Sequence, residues 1–346
     1  MEIRRMTGRT RNLSALACFL AAAAVALPAL VCTVYFTAFP ARAGSNFVNE
    51  LKARNAHHLA GKSILPKGKQ PPTVKRDWED RLKRESWQLS EGPIKVSITL
   101  TKGGPPDAML FLTPVLSLSI EGKKMLRVEG SESFPDNPVF LVQIAEMDPG
   151  NPHKEVVFST YTGGAHCCSD TRILTSSKDG KTWKEVELGP IDGGPLKARD
   201  LNDDGRYEFA FRDNAFLYTF GCYACSTAPF HILQLQAGKL IDASAKAEFR
   251  PHHVASLQRI IEWAGDDMDM NGFLAGYVAQ KILLGEGPQA WKFMLKYYDR
   301  KSDWGLAACS VKEDEKGTCP PGEKLTLSFP QALERFYKDV GYKLKK

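Results

Sequence analysis

Between Lys95 and Ala245 the sequence breaks into ten short runs: KVSITLTK, AMLFLTP, LSLSIEG, PVFLVQIAE, KEVVFSTYT, TRILTSS, TWKEVEL, YEFAFRD, FHILQLQ and KLIDASA. Each is rich in β-branched or aromatic residues and is bounded by Gly, Pro, Asp or Asn, which is the punctuation of strands rather than of helices. SKDGKTW and QAGKL, lying between such runs, read as hairpin turns. Past Phe249 the apolar period becomes helical: HVASLQRIIEWAG, GFLAGYVAQKILLG, PQAWKFMLKYY and FPQALERFYKDVG each carry one apolar face. The fold class is therefore mainly β with a C-terminal helical unit (α+β), with a β domain at 91–247 and the helical unit at 248–346.

The N-terminus has a separate logic. Arg4, Arg5, Arg9 and Arg11 precede an apolar run from Leu13 to Phe39, and Ala41-Arg42-Ala43 stands before Gly44. That order is a secretory signal at 1–43, and it makes the protein exported, periplasmic or secreted. The apolar run is also long enough for an uncleaved anchor, which needs about 20 residues, and a membrane association would depend on that alternative. Without 1–43 the chain keeps 41 basic and 39 acidic residues, a net charge of +2 instead of +6. The basic balance resides mainly in the targeting segment, so a nucleic-acid partner has no support. Cys18 and Cys32 leave with it, and an even six cysteines in an exported chain read first as disulfides. Residues 44–90 form an N-terminal helical/linker segment: a short helix near 46–60, a Lys/Pro stretch at 62–75, and a mixed-charge helical run containing Trp78 and Trp87. Its charges read as a solvated face or linker.

Inside the β domain the sequence repeats. IAEMDPGNPHKEVVF at 144–158 lies over ARDLNDDGRYEFAF at 198–211, with Glu155 matching Glu208, and the continuations GGAHCCSDTRIL and GCYACSTAPFHIL follow in step. The two units span about 138–192 and 193–247, and each carries its cysteines at the equivalent place.

DLNDDGRYE, residues 200–208, is the most specific signal for chemistry. Asp200, Asn202 and Asp204 alternate, Gly205 permits a sharp turn, Arg206 can offer its carbonyl, and Glu208 follows at the head of a strand. Oxygen ligands alternating on a curled backbone suit Ca²⁺, and three confined carboxylates would repel one another without a cation. Phe211 stands where an EF-hand needs its bidentate glutamate, which excludes that motif. The competing reading is an acidic turn that is merely solvated. DDMDMNG at 266–272 repeats the alternation with Asp267, Asp269 and Asn271, but it abuts a helix start, so Asp269 or Asn271 is expected to cap that helix.

The strand-bound DxNxDGxxE arrangement resembles the calcium loop of FG-GAP/VCBS repeats, the units of integrin-like β-propellers. The resemblance covers roughly 138–247 and implies four-stranded antiparallel blades with Ca²⁺ in an inter-strand loop. Its ligands would be Asp200, Asn202, Asp204, the Arg206 carbonyl and Glu208. In the first unit Glu146, Asp148 and Glu155 persist, but Pro149, Gly150 and Pro152 break the pattern, and two units need not close a propeller. The GGAHCC segment is similar to one in uncharacterised exported bacterial proteins, which implies no activity.

The cysteines admit several pairings. Cys309 and Cys319 bracket a Lys/Glu-rich loop with little apolar material, and a disulfide there would stabilise by about 2–3 kcal/mol. Cys167 or Cys168 joined to Cys222 or Cys225 would stitch the two repeat units together. A zinc site of His166, Cys167, Cys168, Cys222 and Cys225 is the alternative, with Zn²⁺ in place of Ca²⁺ as the cofactor. The spacing Cys222-Tyr-Ala-Cys225 is also that of thiol oxidoreductases, although a strand-like run rather than a helix follows it. No GxSxG, HExxH, Walker or Rossmann pattern occurs. The sequence thus points to an exported calcium-binding, disulfide-stabilised interaction protein without enzymatic activity, its partner an unidentified protein or glycan. An exported thiol-redox or zinc-dependent enzyme is the alternative.

Overall fold

A computed structural model describes residues 44–77, 86–103, 111–133, 138–164, 167–265, 268–311, 314 and 318–345. The expected signal at 1–43, and Trp78, His166 and Asp267, lie outside the described residues. Two helices, α1 (Gly44–Arg54) and α2 (Ala56–Leu59), come first. The strands β1 (Thr73–Arg76), β2 (Ser86–Glu91), β3 (Ile94–Gly103), β4 (Phe111–Ile120) and β5 (Lys123–Glu129) follow. Next are β6 (Phe140–Ala145), β7 (Glu155–Tyr161), β8 (Ser169–Ser176) and β9 (Trp183–Ile191). Then come β10 (Ala198–Arg199), β11 (Glu208–Arg212), β12 (Phe230–Gln236) and β13 (Lys239–Asp242). The C-terminal region holds α3 (Arg250–Glu262), α4 (Met270–Leu283), α5 (Gly287–Tyr297), the short pair β14 (Ala307–Cys309) and β15 (Lys324–Thr326), and α6 (Phe329–Asp339).

The strands form three antiparallel meanders of four, β2-β3-β4-β5, β6-β7-β8-β9 and β10-β11-β12-β13, with β1 added to the β6 edge of the second. Mainly β with a C-terminal helical region is therefore the observed class, and no described sheet closes on itself. The meanders stack through their faces. Ile94, Val96, Leu116 and Leu118 of the first meet Phe140, Val142, Val156 and Phe158 of the second. Val157 and Ile173, on the opposite face of the second, meet Ala198, Phe209 and Leu235 of the third. Ile232, on the far face of the third, packs with Phe249, just before α3. Since neighbouring strand residues point to opposite faces, a sheet covered on both sides buries every position of its strands. β7 shows this: all seven residues are buried, and its polar members Glu155, Ser159 and Thr160 are hydrogen-bonded.

Three local expectations are corrected. AMLFLTP and LSLSIEG, expected as two strands, make the single ten-residue β4. Pro114 pairs with Leu100 of β3 but lies beyond Val115, where pairing with β5 ends, so its missing N–H is tolerated. In the mixed-charge run expected to be helical, Trp87 sits on β2, with its ring edge-on to Phe140 at 5.0 Å. In the third case the short helix expected near 46–60 is present and the Lys/Pro stretch is largely exposed, but the segment is anchored to the fold instead of running free as a linker. Phe47 and Leu51 enter the core of the C-terminal helices, β1 extends the middle sheet, and the Lys/Pro stretch lies along the acidic loop.

Candidate functional site

The loop between β10 and β11 is built by its own carboxylates. Asp200 accepts from the Asp204 amide (3.1 Å) through Oδ1 and from the Gly205 amide (3.1 Å) through Oδ2. Asp204 accepts from the Arg206 amide at 2.8 Å and from the Asn202 side chain at 2.9 Å. Gly205 takes φ of +85°, the left-handed turn its sequence position suggests. The strand end is pinned by Glu208, which accepts from the Leu201 amide (3.2 Å) and from Gln234 of β12 (3.0 Å). Burial pushes the Glu208 carboxyl up to about 7, against the lowering effect of these hydrogen bonds. The Arg206 side chain donates to the Met147 carbonyl at 2.9 Å and to the Leu235 carbonyl, tying the loop to the neighbouring meander.

The N-terminal stretch completes the loop's surroundings. The Gly68 amide donates to Asp203 at 2.7 Å, and the Tyr207 hydroxyl donates to the Lys69 carbonyl at 2.9 Å. Gly68 has φ of +51°, and a Cβ there would stand 2.3 Å from the Asp200 carbonyl oxygen, so only glycine fits this crossing. Sequence reasoning missed this segment, because a Lys/Pro run carries no sign of what it crosses. One loop atom lacks a partner: Asn202 Oδ1 is buried and accepts no hydrogen bond. An orphaned carbonyl oxygen beside two carboxylates fits a hard cation. The carboxylates of Asp200, Asp204 and Glu208 are not gathered to ligand spacing, so ligation would require side-chain adjustment within the loop.

The first repeat unit keeps the scaffold and loses the loop. Glu155 opens β7 as Glu208 opens β11, accepts from the amides of Met147 (2.8 Å) and Asp148 (3.0 Å), and accepts from Thr175 (2.9 Å) where Glu208 accepts from Gln234. Thr175 and Gln234 occupy matching positions on β8 and β12. Asp148, however, is spent on the amides of Gly150 and Gly238. Asp269 caps α4 through the Gly272 amide at 3.1 Å, as expected, and Asn271 holds the backbone of Asp299.

The cysteines pair within their clusters. Cys167 joins Cys168, Cys222 joins Cys225 and Cys309 joins Cys319. The expected crosslink between repeat units is thus replaced by local closures, since Cys222 and Cys225 stand across one turn at a Cα separation of 4.9 Å. The clusters do occupy the same connection in each unit, β7 to β8 and β11 to β12.

Three further features carry no motif in the sequence. A cavity of about 650 Å³ between the second and third meanders is lined by Asp148, Asn151, Trp183, Lys184, Arg206 and Gly238. A second, of about 420 Å³, adjoins the Cys222–Cys225 loop. His57, His58 and Glu286 bring three ligand atoms within 4.8 Å of one another, the only such group of His, Cys, Asp and Glu among the described residues. Glu286 is already paired with buried Lys281, and Arg250 lies 3.6 Å from it, so the cluster reads as a helix-to-helix ion pair. The adjacent histidines were its only visible trace in the sequence.

Fold and site together define a mainly β protein of stacked meanders with short-range disulfides, an acidic inter-strand loop and a helical C-terminal unit. The chain belongs to the sll0997 family: it is 42% identical over 259 residues to a probable thylakoid lumen protein, sll0997, of Synechocystis sp., covering 74% of this chain and 75% of that protein. The sll0997 C-terminal domain matches residues 252–341, which run from α3 past α6. The uncharacterized protein y4bJ of Sinorhizobium fredii is 36% identical over 234 residues, 66% of this chain but 37% of that longer protein. No solved structure matches. Among the described residues no helix is long and apolar enough to cross a membrane.

Proposed function

We propose that this is an exported, calcium-binding, disulfide-stabilised interaction protein without enzymatic activity, and that its repeat meanders are blades of the FG-GAP/VCBS type. The observation that carries the calcium site is the buried, unpartnered Asn202 Oδ1 in a loop that also holds Asp200, Asp204 and Glu208. Asp200, Asn202, Asp204, the Arg206 carbonyl and Glu208 would hold the ion. Its role is mechanical: it would fix the connection between β10 and β11 against the segment crossing at Gly68. Loops beside such a locked connection offer a recognition surface for a protein or glycan. Export is supported by the Arg-rich, apolar, Ala-x-Ala N-terminus and by the relative named for the thylakoid lumen, a compartment outside the cytoplasm. Periplasmic or secreted is the location that such a signal gives.

Thermal melting with and without Ca²⁺ tests the proposal. At a hundred times its Kd an ion adds about 2.7 kcal/mol of stability, which should appear as a shift of several degrees. Asp204→Ala should abolish that shift while leaving the calcium-free melting temperature nearly unchanged, because Asp204 is exposed. A wild-type protein indifferent to millimolar Ca²⁺ would eliminate the site.

A further inference from the structure

We propose that the Cys222–Cys225 disulfide is a redox-sensitive centre that accepts two electrons from a protein or peptide dithiol stoichiometrically, without catalytic turnover, with Cys222 forming the mixed disulfide. Both cysteines are partly exposed, on a turn that stands at the edge of the 420 Å³ cavity. Tyr223, Ala224 and Ser226 supply one wall of this cavity, with Arg212, Arg259 and the 84% exposed Trp263 around it, leaving room for the residues that flank an incoming cysteine. A purely structural bridge has no need of an open approach.

The two sulfurs are not equivalent. The Cys225 amide is shared between the Cys222 carbonyl at 3.0 Å and Cys222 Sγ at 3.2 Å, so a thiolate at Cys222 has a backbone donor at hand on reduction.

The turn is braced without its sulfur bond. Ser226 Oγ donates to the Cys222 carbonyl at 2.9 Å and accepts from the Tyr218 amide at 3.1 Å. Tyr223 donates to Asp192 at 2.7 Å, and the Thr227 amide donates to the Gly272 carbonyl of α4 at 3.3 Å. The loop can therefore open its disulfide and keep its shape.

The exchange balances as follows. One thiolate of the partner attacks Cys222 Sγ, the Cys222–Cys225 bond breaks, and Cys225 leaves as a thiolate that takes a proton from solvent water. The partner's second thiolate then attacks the partner sulfur of the mixed disulfide and displaces Cys222 as its thiolate. The partner dithiol is oxidised to a disulfide, the protein disulfide is reduced to a dithiol, and two electrons have moved.

Equilibrating the full chain in glutathione buffers, then alkylating and reading each cysteine pair by mass spectrometry, tests this. Cys222–Cys225 should open at glutathione ratios that leave Cys309–Cys319 closed, with an unchanged circular dichroism spectrum. Opening only in step with unfolding would overturn the proposal. In folded variants, Cys222 of Cys225→Ser should form a mixed disulfide with oxidised glutathione about ten-fold faster than Cys225 of Cys222→Ser. Equal rates would overturn the assignment of Cys222. The buffer titration requires no variant and no Ca²⁺, so it stands or falls apart from the calcium proposal.

Discussion

Individual side chains set the pH behaviour of the molecule, and His253 is the clearest case. It is buried against the helical unit, its Nε2–H directed to the Ser244 carbonyl at 2.6 Å and its Nδ1 accepting from Gln280 at 3.0 Å. Burial lowers its pKa from 6.5 to about 4; the Ser244 bond and Asp242 oppose this, while His252 and His231 add to it. The unfolded chain thus binds more protons between these two values, and the contribution is complete above pH 6.5 and lost as the pH falls toward 4. The loss amounts to at most about 3 kcal/mol. Glu155 and Glu208, raised to about 6 and about 7 by burial, act with the opposite sign, so the measurement must be a difference. Melting curves of wild type and His253→Gln should diverge in slope below pH 6.5, the variant losing less stability on acidification; parallel curves would refute the assignment. At this scale the sequence was legible where a residue's role is local. The Gly205 turn and the Asp269 cap were readable, whereas Gly68 was not, since its constraint is another segment's carbonyl. Cys309–Cys319 was readable, since the two bracket one polar loop, whereas the pairing of the other four cysteines was hidden, because their number reveals disulfides but turn geometry chooses the partners.

At the scale of elements, the repeat was readable because equivalent strands bury equivalent residues: Glu155 and Glu208 each open a second strand, and each accepts from a polar residue on the third. The order in which meanders stack was not readable, since a strand buried on both faces, such as β7, does not say which sheet covers which face. Helix α4 shows how tightly the elements meet. Its Gly276 faces the segment after the Cys222–Cys225 turn, and a Cβ there would stand 1.9 Å from the Thr227 carbonyl oxygen. Backbone cannot yield as a side chain does, so Gly276→Ala should push α4 away from the turn and destabilise the protein by about 1–3 kcal/mol, although alanine favours helix in isolation. Urea unfolding would register the loss. A neutral or stabilising result would show that α4 and the turn are more loosely joined than this contact requires.

Across the described residues, the N-terminal helices are held against the C-terminal helical region. Helix α1 begins at Gly44, and its Phe47 inserts between Phe273 of α4 and Phe293 and Tyr297 of α5, with ring centroids 5.7, 5.4 and 5.1 Å away. Beside it, Lys281 of α4 donates to Asn55 at 2.8 Å and to Glu286, and Glu286 in turn meets His58 of α2 at 2.7 Å. A segment that reads as peripheral in the sequence is therefore part of the helical core, joined to it by contacts more than two hundred residues apart in the chain. From there the chain crosses the acidic loop at Gly68 and enters the middle sheet as β1, so it touches the helical core, the loop and the second meander in turn. Phe47→Ala should remove about 3–5 kcal/mol, through lost burial and the cavity left among three aromatic rings. A calorimetric scan should show a lower melting temperature and, because the same segment spans these layers, one transition rather than two. Separate melting of the helical unit in this variant would show that the N-terminal segment does not couple the layers, and an unchanged melting temperature would remove Phe47 from the core.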